Sequence, residues 1–140
     1  MSDATGSLSV TVPASWTTHT RTSQWTPPDQ DDRFPSLSAG SSAGWNAGTG
    51  EGQGVFVGVL PADDLPEQLP GHAGCRSVLS PVSDSIGDDP VLTQVATGCP
   101  GVIVERVRQV ATNRYVWIQV RSDDRATAND VLDQVEVSGF

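Results

Sequence analysis

The stretch GVIVERVRQVATNRYVWIQVRSDDRATANDVLDQVEV, residues 101–137, decides the fold of this chain. Two runs rich in β-branched residues, 101–111 and 114–122, are separated by the dipeptide Thr-Asn. Such runs joined by a two-residue turn are typical of a β-hairpin. We therefore predict two long neighbouring strands in the centre of an antiparallel sheet.

Side chains in the second run alternate between two faces, because successive residues of a strand point to opposite sides. One face is uniformly β-branched and the other is aromatic and polar. The first comprises Val116, Ile118 and Val120, and the second comprises Tyr115, Trp117, Gln119 and Arg121.

A helix is predicted directly after this hairpin. Ser122, Asp123 and Asp124 are residue types that cap helix N-termini. The apolar residues that follow recur at the spacing i, i+3, i+4, i+7, which indicates an amphipathic helix packed on the sheet. These residues are Ala128, Val131, Leu132 and Val135.

The sequence before residue 101 predicts mostly short strands and loops. Strands are predicted within 7–16, 18–27, 36–40, 55–60 and 91–99, and a short helix within 61–72. Because strands cluster rather than alternate with helices, we predict an α+β fold. It comprises an antiparallel sheet of six to eight strands, a C-terminal helix and one or two short helices. We expect residues 8–140 to form a single domain after a disordered tail at 1–7.

Charge narrows the range of partners. The 140 residues carry 17 acidic and 8 basic side chains, a net charge of −9, and every basic residue is Arg. An acidic protein repels nucleic acid and anionic lipid surfaces. Arg106 and Arg108 are the only arginines close together in the sequence, so no basic stripe offsets this repulsion. No apolar run is long enough to span a membrane. The N-terminus lacks the features of a signal peptide, so we expect any signal or anchor upstream.

The glycine-rich stretch GTGEGQG, residues 48–54, is not a nucleotide loop. A Walker loop requires Lys, which the chain lacks, and the G-x-G-x-x-G spacing is absent. The stretch also precedes a strand, whereas a phosphate loop follows one. We interpret it as a flexible surface connector.

Other catalytic and metal patterns are equally weak, and we expect neither an enzyme nor a metal or cofactor site. No G-x-S-x-G nucleophile motif occurs, although His72 leaves a small hydrolase as the weakest alternative. The acidic segments 29–33 and 83–89 do not match a calcium-binding loop.

Aromatic residues are the best candidates for a contact surface. Trp45 lies in a stretch of small residues, where it either covers the core or lines a ligand groove. Tyr115, Trp117 and Arg121 share one strand face, and we take them with Trp45 as possible ligand or partner contacts. The alternative is that the strand aromatics pack in the core.

The two cysteines, Cys75 and Cys99, suggest one disulfide. Two buried free thiols or half of a metal site are the alternatives. A disulfide would place the domain outside the cytoplasm.

Several motifs in order resemble a known family: LSVTVPASW, PSLSAG followed by Trp, GVFVGVL, two spaced cysteines, and YVWIQVRSDDRATANDVLDQVEV. They are similar to the extracytoplasmic C-terminal domains of actinobacterial membrane proteins, notably receptor-type Ser/Thr protein kinases, and of some secreted serine proteases and lipoproteins. The resemblance implies a PsbP-like fold and supports pairing of the two cysteines.

The same resemblance implies a non-catalytic sensor or binding domain. Its partner would be a small ligand, an extracellular protein or a cell-wall component. The alternative from this resemblance is a protein–protein interaction module of a secreted protease or lipoprotein.

Overall fold

The structure, a computed structural model, describes residues 8–26, 32–41, 53–61, 75–79, 82–86, 89–98, 101–111 and 114–137. Within them lie ten strands and one α-helix. The strands are β1 Leu8–Val10, β2 His19–Trp25, β3 Phe34–Gly40, β4 Gly54–Pro61, β5 Ser77–Val78, β6 Val82–Ile86, β7 Asp89–Thr97, β8 Val102–Ala111, β9 Arg114–Ser122 and β10 Val135–Val137. The helix is α1, Arg125–Asp133.

The main sheet has the order β2-β3-β4-β9-β8-β7, and β5 and β6 both pair with the outer edge of β7. Eight strands thus fill seven positions, and every pairing is antiparallel. The predicted antiparallel α+β architecture is confirmed. The predicted short helix at 61–72 and the tail at 1–7 fall outside the described residues, and the single-domain boundary stays a prediction.

The predicted hairpin is formed by β8 and β9, which lie side by side in the middle of the sheet. The strand predicted within 55–60 is the other neighbour of β9. Val55, Val57 and Val59 face one side and Leu60 faces the other, and all four are buried. An apolar run without alternation is typical of a strand covered on both faces, which is what β4 is.

One side of the sheet, which we call the helix face, packs against α1 and carries Val57, Val104 and Ile118. The helix begins after Asp124, whose carboxylate accepts the Thr127 backbone N–H at 2.8 Å. This position confirms the predicted capping region, with Asp124 as the cap and Ser122 still in β9.

The predicted helix was too long at its C-terminus. Helix α1 ends at Asp133, and Val135 belongs to β10 rather than to the last helical turn. Strand β10 pairs with β1, with Val135 opposite Val10. Backbone hydrogen bonds to this distant strand replace the helical ones, and Val135 stays buried in the same cluster. The apolar spacing alone cannot distinguish these outcomes.

Gln53, the residue just before β4, ties the start of that strand to the start of the helix. Its side-chain oxygen accepts hydrogen bonds from the Ser122 hydroxyl and from the Asp123 backbone N–H, both at 3.0 Å. Its backbone N–H donates to the hydroxyl of Ser41, the residue just after β3, at 3.0 Å, and its carbonyl accepts the Ser41 backbone N–H at 2.8 Å. The last residues of the predicted glycine-rich connector are therefore ordered by specific contacts, whereas residues 48–52 lie outside the described residues.

Candidate functional site

The opposite side of the sheet, which we call the aromatic face, carries Phe56, Glu105 and Trp117. The predicted contact residues Tyr115, Trp117 and Arg121 lie together on it, as the strand period requires. Tyr115 and Trp117 are buried, and Arg121 is half-buried. The two aromatic rings therefore belong to the interior of this face.

Three aromatic side chains pack edge to face at one end of this surface. The Trp25 ring centroid lies 5.2 Å from that of Phe56 and 6.3 Å from that of Trp117, with near-perpendicular planes. Such T-shaped contacts place a ring edge against a ring face and are favourable. These three rings form an aromatic border beside the middle of the face.

Gly58 makes this border possible. A Cβ atom at this position would lie 2.5 Å from the Trp25 ring, which is closer than atoms can approach. The Trp25 ring lies directly over the β4 backbone, and its indole N–H donates to the Val59 carbonyl at 2.9 Å.

A buried carboxylate lies next to the border. Glu105 is 1% exposed, and its Oε2 accepts a hydrogen bond from the Trp117 indole N–H at 3.0 Å. The two residues are diagonal neighbours on β8 and β9, a distance that a long side chain can span. Removal of a carboxylate from water is costly unless hydrogen bonds replace its hydration, so this bond anchors both side chains.

Glu105 is the middle member of a polar row that crosses three adjacent strands. Gln94 on β7 and Gln119 on β9 occupy the register positions on either side of it. Neighbouring strands lie about 4.8 Å apart, so the three side chains stand next to one another. All three are buried. The polar row thus brings a carboxylate and two carboxamides together in the interior of the sheet.

Gln119 is the unusual member of the row. It is 8% exposed, and across the described residues its carboxamide makes no hydrogen bond. A buried polar group without a partner costs about 1–3 kcal/mol, and most such groups in proteins are paired. An amide has two donors and two acceptor lone pairs. Among the described residues, Gln119 therefore has hydrogen-bonding capacity that no protein group uses.

The polar row was not predicted from the sequence, although each of its members leaves a signal there. Each member interrupts an apolar strand, in LTQVA, VIVERV and VWIQV. Burial of a polar residue in such a run costs free energy unless the residue forms hydrogen bonds. The missing information was the register, because only the pairing of β7, β8 and β9 shows that the three interruptions coincide.

The remaining candidates are only partly described. Cys75 is half-buried and packs beside Ala96 and Ile103, whereas Cys99 lies outside the described residues, so their pairing stays a prediction. Trp45 and His72 also fall outside the described part of the chain.

Among the described residues, no group of three His, Cys, Asp or Glu side chains is arranged to hold a metal ion. Helix α1 has nine residues, and no helix in this part of the chain has the length and apolar character needed to cross a membrane.

Comparison of the chain with known protein families, with curated proteins and with solved structures finds no match.

Proposed function

We propose that this chain is a non-catalytic binding domain that acts outside the cytoplasm and recognises a small ligand on the aromatic face. The unpartnered, buried carboxamide of Gln119 carries this proposal. A ligand that bonds this amide would compensate for the hydration that the amide loses on burial.

The surroundings of Gln119 suggest the kind of ligand. Phe56 and Glu105 are its cross-strand neighbours, and Trp117 and Arg121 flank it along β9. Binding sites typically combine apolar walls with a few well-placed polar groups. We therefore expect a small ligand with an apolar ring or chain and at least one hydrogen-bonding group, such as a sugar or peptide fragment of a cell-wall polymer.

The location and the parent protein rest on the sequence resemblance and on the two cysteines. In this proposal the domain has a PsbP-like fold, and it forms the sensor portion of a membrane-anchored actinobacterial protein such as a receptor-type Ser/Thr kinase. Cys75 and Cys99 are then joined in a disulfide, as oxidising compartments permit. Thiol titration of the unfolded, unreduced protein should find no free thiol. Two free thiols would contradict this location.

The ligand site is tested with Gln119→Leu, which keeps the approximate volume and removes the polar atoms. We expect the free energy of unfolding of the variant to equal or exceed that of the wild type, because a buried polar group without a partner is removed. The matched control is Gln94→Leu. Gln94 is equally buried but has interactions of its own, so this variant should be destabilised.

Binding is then followed by NMR, with soluble peptidoglycan fragments, monosaccharides and dipeptides as probes. A probe that binds the wild type should shift the Gln119 side-chain amide resonances and should fail to bind Gln119→Leu. The proposal is wrong if Gln119→Leu is destabilised as strongly as the control. It is equally wrong if the variant binds every probe as the wild type does.

A further inference from the structure

The two arginines that are close in sequence, Arg106 and Arg108, lie on the helix face of β8, opposite to the polar row. In the register Arg106 stands beside Thr93, and Arg108 stands beside Val91. Residues i and i+2 of a strand point the same way and are about 6.6 Å apart. Their guanidinium groups can therefore approach one small ligand together.

Arg106 is already oriented by two contacts. Its Nε donates to the Thr93 hydroxyl at 3.3 Å, and its Nη1 lies 3.7 Å from a carboxylate oxygen of Asp133. The Arg106 side chain is 20% exposed, whereas that of Asp133 is 71% exposed. The guanidinium is thus held near the protein surface while its acidic partner is largely in water.

Asp133 is a weak partner for this arginine. An exposed ion pair at such a distance contributes little to stability. Asp133 is also the last residue of α1, and the negative end of a helix dipole disfavours a carboxylate there. An external anion could therefore displace it.

Arg108 has no acidic partner in the described part of the chain. It is half-buried between Val91 and Val116, which are buried apolar residues. Asp84 of β6 occupies the register position beyond Val91, two strands away, and no ion pair of Arg108 is found among the described residues. Charges that are partly removed from water are usually paired, and an apolar surrounding strengthens the attraction of an anion.

We propose that Arg106 and Arg108, with the Thr93 hydroxyl, form a binding site for a compact dianion of the phosphate-monoester class. Two guanidinium groups match the charge of a dianion better than that of a single carboxylate, and Arg binds phosphate oxygens in a bidentate manner. The net charge of −9 disfavours an extended polyanion. It does not prevent short-range binding of one small ion, because charges beyond about 8 Å are screened at physiological salt.

The test uses inorganic phosphate above pH 7, with acetate and chloride at matched ionic strength, and follows the Nε–Hε resonances of Arg106 and Arg108 by NMR. We expect phosphate to give a saturable shift of both resonances. Acetate and chloride should give only the small shift caused by ionic strength. A shift that is the same for all three salts would overturn the proposal.

Three variants make the test specific. Arg108→Gln should abolish saturable binding, and Asp133→Asn should tighten it several-fold, because the competing carboxylate is removed. Arg125→Gln is the control, because Arg125 is an exposed arginine at the start of α1. This variant should bind phosphate as the wild type does. Unchanged or weaker binding by Asp133→Asn would contradict the site. Because these residues lie on the face opposite to Gln119, failure here leaves the proposed function untouched.

Discussion

At the scale of single residues, the aromatic face depends on a few atoms whose environment is unusual for their type. Glu105 holds a carboxylate in the interior, and the Trp117 indole N–H supplies one of its hydrogen bonds. Gly58 leaves space for the Trp25 ring where any side chain would collide with it. Neither requirement follows from residue type alone, because each depends on a neighbour in another strand.

The substitution Trp117→Phe tests the contribution of the indole N–H. It keeps an aromatic ring but leaves Oε2 of Glu105 without this donor, and hydrogen bonds to charged groups contribute about 1.5–3 kcal/mol. We expect a loss of about 2 kcal/mol in the free energy of unfolding, measured by urea denaturation.

Trp25→Phe is the matched control. The Trp25 ring is half-buried, and its indole N–H donates to the uncharged carbonyl of Val59 instead of to a carboxylate. It should cost only about 1 kcal/mol, as for a neutral hydrogen bond. If Trp117→Phe proves no more damaging than Trp25→Phe, the carboxylate does not depend on this indole. In the Glu105→Gln background, Trp117→Phe should lower the free energy of unfolding by less than it does in the wild type. The reason is that the carboxylate charge, which the indole N–H stabilises, is then absent.

At the scale of elements, α1 shows how closely local signals define a helix start and how poorly they define its end. Asp124 receives the Thr127 backbone N–H and the Thr127 hydroxyl on its two carboxylate oxygens. At the other end, the choice between another helical turn and strand β10 is made by pairing with β1.

The capping bonds make helix stability depend on pH. The Thr127 backbone N–H, and after it the Thr127 hydroxyl, hold the pKa of Asp124 below its ordinary value. A carboxyl whose pKa is lowered by folding stabilises the protein above its unfolded pKa, and this contribution is lost as the pH falls through the folded value.

We therefore expect Asp124→Ala to lower the melting temperature by a few degrees at pH 7, and the difference from wild type to shrink below about pH 4. Thermal melts monitored by circular dichroism at several pH values measure this effect. Asp130→Ala removes an exposed acidic residue from the middle of the same helix and should not destabilise it. A difference for Asp124→Ala that stays constant down to the lowest pH would show that the ionised cap is not responsible.

At the scale of the whole molecule, the two faces of one sheet differ in composition and in what packs against them. The helix face is closed by α1, by the small β1–β10 sheet and by Trp16, all within one apolar cluster. The aromatic face contains the polar row. Because β1 and β10, the first and last described strands, pair with each other, the helix-face core is complete only when both strands are in place.

Leu8→Ala tests this closure. Leu8 is fully buried although it lies in a three-residue strand near the N-terminus. Truncation of a buried leucine costs about 2–5 kcal/mol, and the loss would appear as a lower urea midpoint with little change in the slope of the transition. Leu79→Ala is the control, because Leu79 is 51% exposed on the edge of the sheet, and its effect should stay within about 0.5 kcal/mol. Equal effects of the two substitutions would mean that β1 does not contribute to the core.

Much of the architecture could be predicted from local patterns. The period of two in β9, the continuous apolar run of β4 and the capping residues before α1 each act within a few residues, because backbone conformation and side-chain direction are local properties. These signals correctly indicated the central hairpin, the antiparallel α+β class and the start of the helix.

The remaining features depend on which strands become neighbours and in which register. Each of these features joins residues of separate elements. They are the alignment of Gln94, Glu105 and Gln119, the position of Trp25 over Gly58, the end of α1 before Val135, and the contact of Arg106 with Asp133. A shift of one residue in any pairing would turn these side chains to the opposite face. Burial of the apolar surface as a whole selects the register, so the candidate sites arise only when the complete sheet has formed.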